Sequence, residues 1–167
     1  GAGAGGAQAA RGAAMTRGEK RSAARLSAVQ ALYQMDLTGK GVIEVFSEFE
    51  RFWIGQEIEG DQYKPAERSL FRQIVQGVIE HQVAIDRAVD RILSDGWPLK
   101  RVEALMRASL RGGAYELMKT PDVPVKVVVS EYVDIASAFL DKDEVGMVNA
   151  VLDRLARELR AEELARG

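Results

Sequence analysis

Arg17, Lys20, Arg21 and Arg25 cluster where the first helical periodicity of the chain begins, and the chemistry open to such a cluster is capture of an anion. The stretch from Lys20 to Leu37 reads as a helix, with Ala24, Ala28, Ala31, Leu32 and Met35 on one stripe and Leu26, Val29 and Tyr33 on a second. At about 100° per residue, Arg17 and Arg21 share the sector of the first stripe. The core therefore stops about one turn into the helix, and a positively charged start overhangs the body. Cations in a first turn oppose the helix macrodipole by about 0.3–1 kcal/mol each. A bound anion reverses that sign, because exposed N–H groups and side chains then act together. A solvated, frayed helix start is the alternative that the pattern alone leaves open.

The charge distribution agrees with an anionic partner. The 167 residues have a formal charge of −2, yet residues 1–25 hold five basic side chains (Arg11 is the fifth) against Glu19 alone, leaving 18 basic and 24 acidic residues for the rest. Other chemistries are excluded. The absence of Cys removes disulfides, thiolate metal sites and a cysteine nucleophile, and a single His, His81, rules out a His-based metal cluster. No phosphate loop, dinucleotide fingerprint, HExxH or nucleophile elbow occurs. Asp86 and Asp90 lie one turn apart and read as solvated, and His81 as a surface or joint residue. The sequence thus points to a binding module, with no catalytic residue, cofactor or metal. Lacking a run of about 18 apolar residues or a signal core, the chain is expected in the cytoplasm, away from membranes.

The elements that position the cations are helical throughout. Val42–Trp53 turns Val42, Val45, Phe46, Phe49, Phe52 and Trp53 inward, and Gly55–Lys64 is a polar connection. Pro65–Glu80 buries Leu70, Phe71, Ile74, Val75, Val78 and Ile79, and Pro65 suits a first turn. Gln82–Leu93 follows with Val83, Ile85, Val89, Ile92 and Leu93, after a shift of register near His81. Ser94–Pro98 breaks the chain before Leu105–Lys119 and its lead-in Leu99–Ala104, whose shared inward stripe of Val102, Leu105, Met106, Ser109, Leu110, Gly113 and Leu117 makes it central. Gly112 and Gly113 each cost a helix about 1 kcal/mol; an unbroken register favours close approach of a neighbour over a break. Thr120–Pro124 turns the chain back, Val125–Leu140 has helical spacing despite its valines, and Phe139 is among its inward residues. Asp141 and Glu144 form a capping-box-like start for a last helix seamed by Val145, Val148, Leu152, Leu155 and Leu159.

Four strings in this order, RSAARLSAVQALYQMD, LRGGAYEL, DVPVKVVVSEYVDIA and MVNAVLDRLA, resemble the NusB family of bacterial transcription antitermination factors from about Lys20 to Leu159. The resemblance implies an all-α fold of about seven helices in two small bundles, while the Gly/Ala low complexity of Gly1–Ala14 reads as part of a flexible tail over 1–19, before a helical domain over 20–161 and a C-terminal tail over 162–167. It implies, as partners, the small-subunit ribosomal protein NusE, the single-stranded boxA element of nascent ribosomal RNA and the RNA polymerase antitermination complex, with readthrough of terminators as the outcome. By position, the family's basic motif falls on Lys20, Arg21 and Arg25, with Gln30 and Tyr33 beyond it, while Asp143, Val148 and Asn149 match a second part of the RNA-proximal surface. Ser22 and Ala23 replace further arginines, so the patch is thinner and leans on Arg17, Arg11 or the partner. Gly146 and Met147 replace a basic and aromatic pair, and Gly112 a bulky aliphatic residue.

These residue types suit RNA: arginine pairs with phosphate and stacks on bases, Tyr33 offers a ring, and Gln30 and Asn149 can read base edges. By spacing alone Tyr33 also fits the core. About four or five cations, each worth about −0.7 in salt slope for a single strand, imply weak binding by the isolated chain. On this reading Arg21→Glu with Arg25→Glu abolishes boxA binding and preserves helicity. Two other functions stay open: a protein-only helical adaptor, and a free-standing relative of the NusB-like domain that precedes some RNA methyltransferases.

Overall fold

The computed structural model describes residues 16–58, 65–93 and 102–166, without the side chains of 52–58 and 65–66. Arg11, the inward placement of Phe52 and Trp53, and the break at Ser94–Pro98 lie outside the described features. Eight helices and no strand occur among the described residues: α1 (Arg17–Thr38), α2 (Val42–Ile58), α3 (Pro65–Glu80), α4 (Gln82–Leu93), α5 (Ala104–Lys119), α6 (Val125–Ser137), α7 (Lys142–Leu159) and α8 (Ala161–Arg166).

Helix α5 is the hub, packing against α1, α3, α4, α6 and α7. Two small bundles share it, one formed with α1, α2 and α3 and the other with α4, α6 and α7. The paired glycines make this possible without a break. A β-carbon at Gly112 would stand 2.6 Å from Tyr132 Cε1, and one at Gly113 would stand 2.8 Å from Leu152 Cδ1, well inside the roughly 3.5–4.0 Å at which carbon atoms rest. The helical cost of the pair is thus offset by two side chains seated directly on the α5 backbone. On the α1 side the same closeness comes from Ala24, Ala28 and Ala31, all fully buried.

The joint at His81 is a turn: its N–H donates to the Gly77 carbonyl and its carbonyl accepts from the Ile85 N–H. Helix α2 runs to Ile58, absorbing the start of the expected polar connection. Helix α6 stops at Ser137 rather than Leu140, because Asp141 must be extended (φ −76°, ψ 171°) to cap α7. Asp141 and Glu144 form the reciprocal capping box. Ile79, Val83, Phe139 and Leu159, inward by spacing, are exposed; each sits within two residues of a helix end.

Residues 161–166 form the short helix α8, none of whose residues is buried. Buried Arg160, just before it, donates to the carbonyls of Glu116, Leu117, Thr120 and Val123 at 2.8–3.0 Å, closing the C-terminal end of α5 and the turn beyond. A cation there complements the helix dipole. Glu163 accepts from Arg160 at 2.7 Å and from the Val125 N–H at 2.8 Å, so one carboxylate holds the cap and satisfies the start of α6. These bonds hold the Glu163 carboxyl below its ordinary pKa.

Candidate nucleic-acid interface

Helix α1 begins at Arg17, three residues before the expected start, where the Thr16 hydroxyl accepts from the Glu19 N–H at 3.0 Å. Its first buried residue is Ala24, so about two turns project beyond the core. Arg17 is exposed and Lys20 and Arg21 are half-buried; no carboxylate among the described residues pairs with any of the three. This is an open cationic tip.

Arg25 does not belong to it. Its side chain is 2 % exposed and pairs with the fully buried Glu116, Nε to Oε2 at 2.8 Å and Nη2 to Oε1 at 3.0 Å. The Tyr132 hydroxyl donates to Glu116 Oε2 at 2.6 Å. Glu131 Oε1 stands 3.9 Å from Arg25 and accepts from the Ser22 hydroxyl at 2.7 Å. Burial alone would lower the Arg25 pKa, but the hydrogen bond and charge of Glu116 outweigh it and raise the value. Burial, followed by the Glu116 charge, pushes the Tyr132 phenol well above its ordinary range. The physical reason for the correction is that an acid on the buried face of α5 needs a cation, and Arg25 is the one that faces it. Reversing Arg25 to Glu would set two carboxylates together in the interior, so the double reversal with Arg21 would report on folding.

The remaining expected residues lie apart from the tip. Gln30 is exposed, but nine residues beyond Arg21 it points about half a turn away and lies about 13 Å along the axis. Tyr33 is half-buried and packs against the core, which takes up the reading by spacing. Asp143 is exposed in the first turn of α7, where a negative charge suits the helix dipole. Asn149, also exposed, lines an open groove of about 520 Å³ with Lys126, Val129, Val133 and Asp153 between α6 and α7. Helix α6 packs on both α1 and α7, the helices that carry the tip and these two residues.

Glu116, Glu131, Tyr132 and Arg160 were not singled out by sequence reasoning. Glu116 had a signal: it follows Gly113 by three residues and Ser109 by seven, on the buried stripe, where a charge demands a partner. Arg25 carried its own, since it precedes Leu32 by seven and follows Arg21 by four. No group of three His, Cys, Asp or Glu residues lies together among the described residues, and no described helix is long and apolar enough to cross a membrane. Asp86, once weighed as half of an acid pair, is held by Arg111 through two bonds of 2.9 Å.

Comparison with known proteins decides the relationship. The model of the NusB family matches residues 22–157. The chain belongs to the NusB family. Transcription antitermination protein NusB of Rhodopseudomonas palustris (strain TIE-1) is 59% identical over 151 residues, which span 90% of this chain and 87% of that protein. The NusB of Nitrobacter hamburgensis is 58% identical over 150 residues, covering 90% and 94%. Among solved structures, T. maritima NusB superposes with a TM-score of 0.72 at 27% identity, covering 87% of this chain and 96% of the other. A crystal structure of antitermination factors NusB and NusE in complex with dsRNA contains a chain matching at a TM-score of 0.69 and 26% identity, with 86% and 99% covered. The NusB fold is therefore shared over most of the chain.

Proposed function

We propose that this NusB-family chain binds the single-stranded boxA element of nascent ribosomal transcripts together with NusE, in the bacterial cytoplasm, and so helps RNA polymerase read through terminators. The observation that carries the reading is the tip of α1: three cations, Arg17, Lys20 and Arg21, on a helix start that leaves the core, with no described carboxylate against them. Retaining them there works against the helix dipole unless a polyanion occupies the same space. A partner containing NusE and RNA fits the relative crystallised with both. Asp143, Asn149, Gln30 and Tyr33 are kept as secondary contacts, reached when RNA passes over α6 or along α1.

With Arg25 withdrawn, three cations remain, and the isolated chain should show a salt slope of about −2, or about −0.7 per phosphate. NusE should raise affinity and steepen the slope. The test is a salt series with labelled boxA RNA, a scrambled strand and a duplex, with and without NusE, on the native chain and on an Arg17→Glu, Lys20→Glu, Arg21→Glu variant. Loss of boxA retention at unchanged helicity supports the reading. Equal affinity of native and variant chains would remove the tip from the interface, and equal retention of all three RNAs at every salt would remove boxA recognition.

A further inference from the structure

We infer that Tyr132 is a positioning residue for RNA binding: seated on Gly112, it orients Glu116, Glu116 orients Arg25, and Arg25 sets the direction in which the cationic start of α1 leaves the body. This inference rests on the proposed role of that start in holding RNA.

The buried polar cluster under α1 is the foundation. A guanidinium–carboxylate pair with two parallel bonds fixes both partners in one plane, but the terminal torsion of a glutamate side chain is broad and leaves that plane free to turn. The third donor removes the freedom, because the Tyr132 hydroxyl meets Oε2, the oxygen that also accepts from Arg25 Nε. The position of the phenol is fixed in turn by its ring. Tyr132 is fully buried and its Cε1 occupies the volume a side chain at Gly112 would need. A larger residue at 112 would displace the ring and carry the hydroxyl away from Glu116.

A second tie leaves the same turn of α6. Glu131, the neighbour of Tyr132, accepts from Ser22 and stands near Arg25. Residues 22–25 of α1 are thereby held by Glu131 of α6 directly and by Glu116 of α5, which Tyr132 of α6 orients. Outward of them Lys20 and Arg21 are half-buried and Arg17 is exposed, so the direction of the tip is inherited from its base. The lever is long: Arg17 lies eight residues, about 12 Å, beyond Arg25, and a tilt of about 10° at the base moves it about 2 Å. That exceeds the tolerance of a direct phosphate contact.

Tyr132→Phe keeps the ring on Gly112 and deletes only the hydroxyl. Gly112→Ala leaves the phenol intact and pushes it aside, which supplies an independent route to the same loss should the first variant fold poorly. Both are compared with the full native chain by boxA RNA anisotropy across a salt series, alongside thermal melting and far-UV circular dichroism. The expected result is retained helix content, a Kd raised about three- to tenfold, and a salt slope shallower by about 0.7, the value of one lost phosphate. A lower Tm with Kd and slope unchanged overturns the positioning role, since a purely structural contact would do that. The Arg17→Glu, Lys20→Glu, Arg21→Glu chain separates the two ideas. If it binds RNA as the native chain does, the RNA reading falls and the inference with it; if it loses RNA while Tyr132→Phe keeps native Kd and slope, only the inference falls.

Discussion

Arg21 and Arg25 are the same residue type on the same side of the same helix, one turn apart, and they do opposite things. Arg25 is enclosed with Glu116 and Tyr132 at its guanidinium, while Arg21 is half-buried and has no described acidic partner. The difference teaches that a cation's role is set by the dielectric and by the carboxylate that shares it. In the interior an unpaired charge is prohibitive, so Arg25 is committed to Glu116. At the tip water screens the charge, and Arg21 keeps its bonds for a partner from outside.

The sharpest way to break this contrast is to remove the acid. Glu116→Ala should destabilise the chain by about 3–5 kcal/mol in urea unfolding, because Arg25 is then left buried with only the more distant Glu131, at 3.9 Å; a loss below about 1 kcal/mol would mean that Arg25 escapes to water and resembles Arg21 after all. Removing the cation that caps α5 should come next. Arg160→Ala, which removes a buried donor from four carbonyls of which Glu116 and Thr120 keep local partners, should cost about 2–3 kcal/mol by the same measurement, against almost nothing for Arg154→Ala on the exposed face of α7.

Titration sharpens the comparison further. The Tyr132 phenol is raised in the folded state, so above pH about 10 the unfolded chain gives up a proton that the folded chain retains. Its contribution is therefore whole below that pH and declines as pH rises through and beyond it. Chemical denaturation between pH 8 and about 11.5 should show a decline that Tyr132→Phe flattens. The smallest effect is expected at the tip. Reversing Arg17, Lys20 and Arg21 to Glu should leave stability within about 1 kcal/mol of the native chain, or raise it, since acids suit a helix start; unfolding by more than about 2 kcal/mol would show the tip to be structural.

Much of this arrangement is legible in the sequence, because periodicity reports which face of a helix is buried. The bounds of α3 and α4, the joint at His81, the capping box at Asp141 and the overhang of α1 all follow from spacing and from the few residues that start or stop helices. Gly112 and Gly113 announce a close approach, though the pattern does not name Tyr132 and Leu152 as the visitors. What spacing does not supply is pairing across long separations. Arg25 and Glu116 stand 91 residues apart, and although each falls on a buried stripe, neither stripe says which distant charge answers it. The family motif places Arg25 among RNA-facing residues because position along the helix says nothing about what packs against it. Arg160 went unseen for the same reason: its acceptors are backbone carbonyls, which every residue has.

Arg160 has a temporal consequence. The carbonyls it satisfies belong to Glu116, Leu117, Thr120 and Val123, between 37 and 44 residues earlier in the chain. At a synthesis rate of about 5–20 residues per second, the ribosome takes about 2–9 s to make the donor after the first of its acceptors. During that interval the end of the hub helix has only the local cap that Thr120 gives to the Glu116 carbonyl, and the buried guanidinium that ties it to the turn beyond arrives only with residue 160.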